Sequence, residues 1–347
     1  MEALDAVRFR IFITSRPEIS IRLGFHKMPK IIHCDLMLHS IPQSIIEQDI
    51  SVFLRHELNK IKEDKFLEED WPGKEKVQKL IEKADRLFIY AATICRFLRE
   101  AKFPDNRLSE ILQVNAASLS SMKELDNMYR LILDHLMIDG HDGDNRDMAR
   151  LFKQIVGSII ILFDALSTTN LAKLLAVSPI EMNGTLQHLH SVLDIPQNET
   201  SPIQLFHLSF RDFLLDKERC KDPQFWINEK MAHNILAESC LKVMSNTLRK
   251  DICCLQAPGT LAEEVENYQL EQNLPLELQY ACRYWVQHLQ KSGLHLHDGG
   301  PIHMFLQKHF LHWFEALSLM GKTSEGIIAI TLLESIIKVG VSFGKFT

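Results

Sequence analysis

The stretch that decides the fold is "MARLFKQIVGSIIILFDALSTTNLAKLLAV", residues 148–177, in which a long apolar helix pattern precedes a shorter one. Serine and threonine at 167–169 are typical helix N-caps, so the second helix is expected to begin there. After a turn at "SPIE", the segment "EMNGTLQHLHSVL" (181–193) predicts a third helix. Two short extended runs follow, "VLDIP" and "PIQLFH", joined by the polar "QNETS". This order predicts a winged-helix domain over residues 146–216.

Winged helices often bind DNA through their third helix, which needs cationic side chains to contact phosphates. The third helix here has no lysine or arginine; its polar residues include Glu181, Asn183, Gln187, His188 and His190. The net charge of the chain is -6, which also leaves no basic face for nucleic acid. Nucleic-acid binding is therefore disfavoured, and a DNA-binding role is kept only as a third alternative.

The segments on either side of this domain have helical periodicity. In residues 41–138, "SIIEQDISVFLRHELNKI" places one apolar stripe at three- and four-residue steps: Ile46, Ile50, Phe53, Leu54 and Leu58. "KVQKLIEKADRLFIYAATICRFLRE" and "ELDNMYRLILDHLM" continue in the same way, and the polar "DGHDGDNRD" then ends this region. Residues 217–347 contain four long amphipathic segments, which predict a helical bundle or a short superhelix.

The N-terminal segment differs from the rest, because "FRIFIT" (9–14) and "KIIHCDLML" (30–38) are rich in β-branched and apolar residues. Each predicts a short buried strand, although two strands cannot form an independent domain. The first run continues as "FITSRPEIS", in which Arg16 follows a strand, a position from which arginine often contacts phosphate.

Composition and residue spacing exclude several classes of protein. The seven cysteines contain no CxxC pair, and their odd number is against a disulfide framework. No apolar run is long enough to span a membrane and no signal peptide is evident, so a cytoplasmic protein without membrane contact is expected. The histidines between 288 and 312 lack the spacing of a known metal site, and no nucleophile has a base and an orienting group in a known motif. The sequence therefore predicts no metal and no hydrolase site.

Six segments together resemble one protein family: "RIFITSRPE", "IPQSIIEQDISVFLRHEL", "KADRLFIYAATICRFL", "LDNMYRLIL", "FHLSFRDFLLD" and "LQYACRYWVQHL". In this order they resemble fungal NACHT-domain proteins of the vegetative-incompatibility type, signalling ATPases (STAND class) related to NOD-like receptors. The resemblance implies a mainly α fold with a remnant of a P-loop α/β sheet. Its implied domains are a remnant of the ATPase core (1–40), a helical lid (41–138), the winged helix (146–216) and a helical arm (217–347).

The resemblance also implies a nucleotide site, of which only part is found in these residues. No G-x-x-x-x-G-K-[ST] phosphate loop and no magnesium-binding acidic strand occur, so catalysis and an ATP or ADP cofactor are not expected for this chain alone. Two residues match family positions: Arg16 the sensor arginine near the γ-phosphate, and His207 the histidine that touches the β-phosphate of ADP. Leu208 stands where the related pattern has an aspartate. The alternatives are that Arg16 pairs with Glu18 and that His207 precedes a helix capped by Ser209.

The function that follows from the resemblance is that of a non-catalytic, truncated part of a NACHT-type nucleotide switch. Such a protein acts in signalling or self/non-self recognition, including heterokaryon incompatibility, through protein partners or self-association. The parent type commonly carries WD40, ankyrin or TPR repeats, which these residues lack. The alternative is a freestanding helical scaffold for protein interactions.

Overall fold

The computed structural model describes residues 10–15, 18–29, 33–36, 38, 41–113, 121–139, 145–255, 265–294 and 298–341. Within these residues the chain forms fifteen α-helices and one two-stranded sheet, which confirms the mainly α fold. The helices are α1 (Ile19–His26), α2 (Gln43–Asp64), α3 (Lys74–Ala84), α4 (Phe88–Glu100), α5 (Pro104–Gln113), α6 (Ser121–Asp139), α7 (Asn145–Ile159), α8 (Thr168–Leu175), α9 (Pro179–Leu186), α10 (Leu208–Leu215), α11 (Glu229–Thr247), α12 (Asn267–Asn273), α13 (Leu276–Ser292), α14 (Pro301–Leu319) and α15 (Thr323–Val341). The strands are β1 (Leu193–Asp194) and β2 (Gln204–Leu205).

The N-terminal strands predicted from the sequence are wrong in the residues that the structure describes. Residues 10–15 and 33–36 have no regular secondary structure, and helix α1 lies between them in the chain. A strand forms only where neighbouring strands pair with its backbone N–H and C=O groups, and two short runs do not supply such a sheet. The expected sheet remnant is therefore not formed in the described part of this segment.

Contacts between residues divide the chain into two compact units, Met1–Gln48 and Asp49–Thr347. In the second unit, α4 packs against α3, α5 and α6. The apolar stripe predicted along α2 is confirmed from Ile50 onward, because Ile50, Leu54 and Leu58 are all buried. Phe53 of the same stripe lies partly buried, with its ring 6.2 Å from that of Phe88 at the start of α4.

The central segment contains three helices and then a hairpin, in the order that the sequence predicted. The two strands are antiparallel, with Leu193 opposite Leu205. Helix α8 begins as expected, because the Ser167 hydroxyl accepts a hydrogen bond from the Asn170 backbone N–H at 3.2 Å. Residues 167 to 205 thus form their local structure largely from signals in their own sequence.

The bounds of α9 differ from the predicted ones at both ends. The segment "SPIE" is not a turn but the start of the helix, since Ser178 and Glu181 form a capping box in which each side chain bonds the other's backbone N–H. The helix ends at Leu186, earlier than the sequence pattern indicated. Beyond it the backbone tightens, and Leu189 N–H bonds the Leu186 carbonyl at 2.9 Å, three residues back.

The C-terminal helices pack around α13, which contacts α11, α14 and α15. Trp285 and Trp313 are fully buried, and their ring centroids lie 5.4 Å apart in an edge-to-face arrangement. The Trp313 indole N–H donates to the Cys282 carbonyl at 2.8 Å, which satisfies its polar atom. Each buried aromatic of this kind contributes about 2–3 kcal/mol of hydrophobic free energy.

Candidate functional site

His207 lies between β2 and α10 and is the N-cap residue of α10. Its backbone is extended, with φ -158° and ψ 141°, and its ring Nδ1 accepts a hydrogen bond from the Ser209 backbone N–H at 3.1 Å. The prediction that Ser209 caps this helix is therefore wrong. The helix begins at Leu208, so the residue with the extended backbone that a cap requires is His207.

The Ser209 hydroxyl connects His207 to another helix. Its Oγ lies 2.6 Å from His207 Nδ1 and 2.7 Å from the hydroxyl oxygen of Tyr129, which belongs to α6. Ser209 and Tyr129 are both buried, whereas His207 is exposed. We call these three residues the cap network. It joins the first turn of α10 to α6 by hydrogen bonds between side chains.

Tyr129 is held in place by an aromatic cluster. Its ring centroid lies 5.1 Å from that of Phe210 and 5.4 Å from that of Phe213, and all three rings are buried. Burial raises the pKa of Tyr129 to about 12, against a lowering effect of its hydrogen bond to Ser209. The hydroxyl is therefore protonated at neutral pH and is available as a donor.

Arg96 of α4 packs against the residue that precedes His207. Its guanidinium carbon lies 3.8 Å from the centroid of the Phe206 ring, a distance at which a cation and an aromatic face attract each other. Burial lowers the pKa of Arg96, although an arginine remains charged at neutral pH. Its Nη1 atom is buried and finds no hydrogen-bond partner among the described residues. The stacking contact thus places the ring of the residue before His207 against a side chain of α4.

A second polar contact of α6 lies on the other side of α10. Arg219, in the segment after α10, donates hydrogen bonds to both carboxylate oxygens of Asp126. The backbone carbonyl of Arg219 accepts a hydrogen bond from Arg130 Nη2 at 3.0 Å. Asp126 and Arg130 both belong to α6. Helix α10 is therefore tied to α6 through both of its ends, and His207 lies at the N-terminal one.

The structure locates only one of the two residues predicted to contact nucleotide. Arg16 lies outside the described residues, so its contact with nucleotide and its alternative pairing with Glu18 stay predictions. Sequence reasoning did not assign a role to Arg96 or Tyr129, although both lie in segments that carry the family resemblance. Tyr129 is separated from Ser209 by 80 positions, so no local pattern could indicate that their hydroxyl groups meet.

A cavity of about 440 Å³ lies elsewhere, between α4, α5, α6 and the end of α9. Polar and charged side chains account for much of its lining: Glu100, Lys102, Arg107, Glu110, His135 and His188. Three of these groups pair with one another, because His135 Nε2 lies 2.8 Å from Glu110 and Arg107 Nη2 lies 3.3 Å from His135 Nδ1. Burial also raises the pKa of Glu100 to about 7. The mixed and internally paired lining does not select one class of ligand.

In the parts of the chain that the structure describes, no group of three or more histidine, cysteine or acidic side chains is arranged to hold a metal ion. None of the described helices has both the length and the apolar character that crossing a membrane requires.

Comparison with known proteins finds a relative of this chain. No family model matches the chain, and no solved structure matches it. The chain is 31% identical over 278 residues to the vegetative incompatibility protein HET-E-1 of Podospora anserina. This match covers 73% of the chain but only 19% of HET-E-1, so the chain spans less than a fifth of that protein's length. The similarity supports the resemblance to fungal vegetative-incompatibility proteins that the sequence motifs indicated.

Proposed function

We propose that this chain is a non-catalytic part of a nucleotide-dependent signalling switch that acts in self/non-self recognition. The observation that carries the proposal is the 31% identity to a vegetative incompatibility protein over 278 residues. The helix order around α7 to α10 supports assigning residues 146–216 as a winged helix within such a switch. The preceding helices would then act as its lid, and the helices after α10 as its arm.

His207 is the described residue through which the chain would contact a nucleotide. Its exposed imidazole can donate an N–H to a phosphate oxygen, and it lies at the start of α10. A single such donor is weak compared with a phosphate loop, whose backbone N–H groups, lysine and magnesium supply most of the positioning in phosphoryl transfer. We therefore expect weak ADP binding and no ATP hydrolysis by these 347 residues.

Calorimetric titration of the purified chain with ADP and with ATP tests this proposal. ADP is expected to bind with a dissociation constant near the millimolar range, and His207→Ala is expected to abolish the signal. His56→Ala, which changes an exposed histidine on α2, serves as the matched control and should bind as the unmodified chain does. A chain that shows no heat with either nucleotide at millimolar concentration would remove the nucleotide contact from the proposal.

A helical interaction scaffold is the second candidate, and one observation favours it. Large apolar side chains are exposed on α14 and α15, among them Leu311, Met304, Ile327 and Ile328. Exposed apolar side chains that lie together mark surfaces for protein association. Sedimentation at increasing concentration tests this alternative: self-association that Leu311→Glu abolishes would support it, and a monomer at all concentrations would argue against self-association.

A further inference from the structure

We infer that Ser209 and Tyr129 are positioning residues for His207, which hold its imidazole as the tautomer with the proton on Nε2. The Nε2–H group would then be the donor offered to a phosphate, so this part of the inference rests on the proposed function. The tautomer itself follows from the hydrogen bonds of the cap network and does not depend on any nucleotide.

The backbone N–H of Ser209 limits which tautomer His207 adopts. A backbone N–H can only donate, and the one of Ser209 points at His207 Nδ1 with a nitrogen-to-nitrogen distance of 3.1 Å. Nδ1 must therefore present a lone pair. A proton on Nδ1 would face the proton of the amide at this distance, so this contact disfavours the Nδ1–H tautomer.

The short contacts of Ser209 Oγ fix the direction of the side-chain hydrogen bonds. Ser209 Oγ lies 2.6 Å from Nδ1, and two acceptors do not approach so closely, so the serine hydroxyl donates to Nδ1. Its oxygen then remains an acceptor for the Tyr129 hydroxyl at 2.7 Å. The donors therefore run in one direction, from Tyr129 to Ser209 to His207. A neutral imidazole carries one proton, which this arrangement leaves on Nε2.

The residue after His207 does not supply an orienting group. Leu208 stands where the related pattern has an aspartate, and its side chain has no polar atom that could orient the ring. Ser209 provides a hydroxyl at the next position, and Tyr129 fixes the orientation of that hydroxyl from α6. His207 is thus oriented by Ser209, two positions further along the chain, and through Ser209 by Tyr129 of α6.

Nitrogen NMR of the whole chain, labelled with 15N at histidine, tests the inference directly. His207→Gln identifies the signals of this ring by their loss. At neutral pH the unmodified chain should show a pyridine-like shift for Nδ1 and a pyrrole-like shift for Nε2. Ser209→Ala removes one donor to Nδ1, worth about a fivefold change in the tautomer ratio, and Tyr129→Phe should change it less in the same direction.

Two further variants separate positioning from packing. Ser209→Thr keeps the hydroxyl and should retain the Nε2–H tautomer, and it also serves if Ser209→Ala does not fold. Ser158→Ala removes another buried serine hydroxyl, which donates to the Gln154 carbonyl of its own helix, and should leave the His207 signals unchanged. A mixture of tautomers in the unmodified chain, or an unchanged ratio in both Ser209→Ala and Tyr129→Phe, would overturn the inference.

ADP titration of the same variants tests the link to function separately. If the unmodified chain binds ADP, Ser209→Ala should weaken binding about fivefold and Ser158→Ala should not change it. Unchanged ADP binding in Ser209→Ala, despite an altered tautomer ratio, would overturn the functional part of the inference. If the unmodified chain does not bind ADP, the proposed nucleotide contact fails, and the NMR result alone then decides whether Ser209 and Tyr129 position the ring.

Discussion

Arg219 and Asp126 form a partly buried, two-pronged ion pair between α6 and the segment that follows α10. Arg219 Nε lies 3.2 and 3.1 Å from the two carboxylate oxygens, and Nη2 lies 2.6 Å from Oδ1. The hydrogen bonds to Asp126 raise the pKa of Arg219 above its ordinary value. Asp126 is buried, so loss of its partner would leave a carboxylate in the protein interior without a counter-charge. The pair affects stability chiefly through this cost.

Arg219→Ala is therefore expected to destabilise the chain by about 2–4 kcal/mol, because it leaves the Asp126 carboxylate buried without its partner. Arg219→Lys keeps the positive charge but loses the paired hydrogen bonds of the guanidinium. Its free energy of unfolding should therefore lie between those of the unmodified chain and Arg219→Ala. Urea unfolding followed by circular dichroism measures the change. Arg150→Ala is the control, since the Arg150–Asp147 pair is exposed and its loss should cost under about 0.5 kcal/mol. Equal effects of Arg219→Ala and Arg150→Ala would contradict the prediction.

His233 of α11 and His288 of α13 form a buried pair whose ring nitrogens Nδ1 lie 2.7 Å apart. His288 Nε2 lies 2.7 Å from the Tyr280 hydroxyl, which accepts from the Phe163 backbone N–H at 3.3 Å. Burial lowers the pKa of His233 to about 4 and, with a smaller effect of His233, that of His288 to about 3, from an ordinary value of 6.5. Both rings are therefore neutral in the folded chain at neutral pH.

The free energy of unfolding should fall as the pH falls below about 6.5, because the unfolded chain then binds protons that the folded chain does not. Each histidine contributes a slope of up to about 1.4 kcal/mol per pH unit, which ends near pH 4 for His233 and near pH 3 for His288. Urea unfolding at about pH 7 and about pH 5 measures this slope. His288→Gln should reduce it, and His56→Ala should not. A free energy that is constant over this range would show that the pair does not have depressed pKa values.

Gly326 of α15 lies against α14 so closely that a Cβ atom there would lie 2.8 Å from Leu317 Cδ1 and 3.2 Å from Phe314 Cζ. Gly326→Ala should destabilise the chain by about 1 kcal/mol, because overpacking exceeds the gain in helix propensity. At Gly184 of α9 nothing lies within 4 Å of such a Cβ, so Gly184→Ala should stabilise the chain by about 0.5–1 kcal/mol. Thermal unfolding of both variants checks the opposite signs; a stabilising Gly326→Ala would mean that α14 and α15 separate easily.

Ser178 begins α9 through its capping box with Glu181, and both contacts lie at the surface. Ser178→Ala removes the acceptor for the Glu181 backbone N–H and should cost about 1 kcal/mol, whereas Ser178→Gly should cost only a few tenths. Denaturant midpoints of the two variants measure the difference. Equal midpoints for Ser178→Ala and the unmodified chain would show that the box contributes nothing to the start of this helix.

Much of the local structure could be predicted because its causes lie close together in the sequence. The stripe of Ile50, Leu54 and Leu58 and the N-cap at Ser167 each depend on residues within one or two helical turns. The position of the hairpin followed in the same way from two extended runs joined by polar residues. The capping box at Ser178 was equally local, and it was missed only because proline and serine also favour turns.

The N-terminal strands show where local pattern is insufficient. Their composition favours β structure, but a strand exists only if other strands pair with it, and pairing is a property of the whole chain.

The candidate site was likewise determined partly by local sequence and partly by tertiary packing. The sequence by itself determined that a histidine precedes a helix with an apolar face, at a position that resembles a nucleotide contact. Only the tertiary structure brought Tyr129 to Ser209, across 80 positions, and so decided which nitrogen of His207 accepts and which side chain orients it. The physical reason is that periodicity and capping act over a few residues, whereas a buried hydroxyl takes whichever partner the packing of distant helices places beside it.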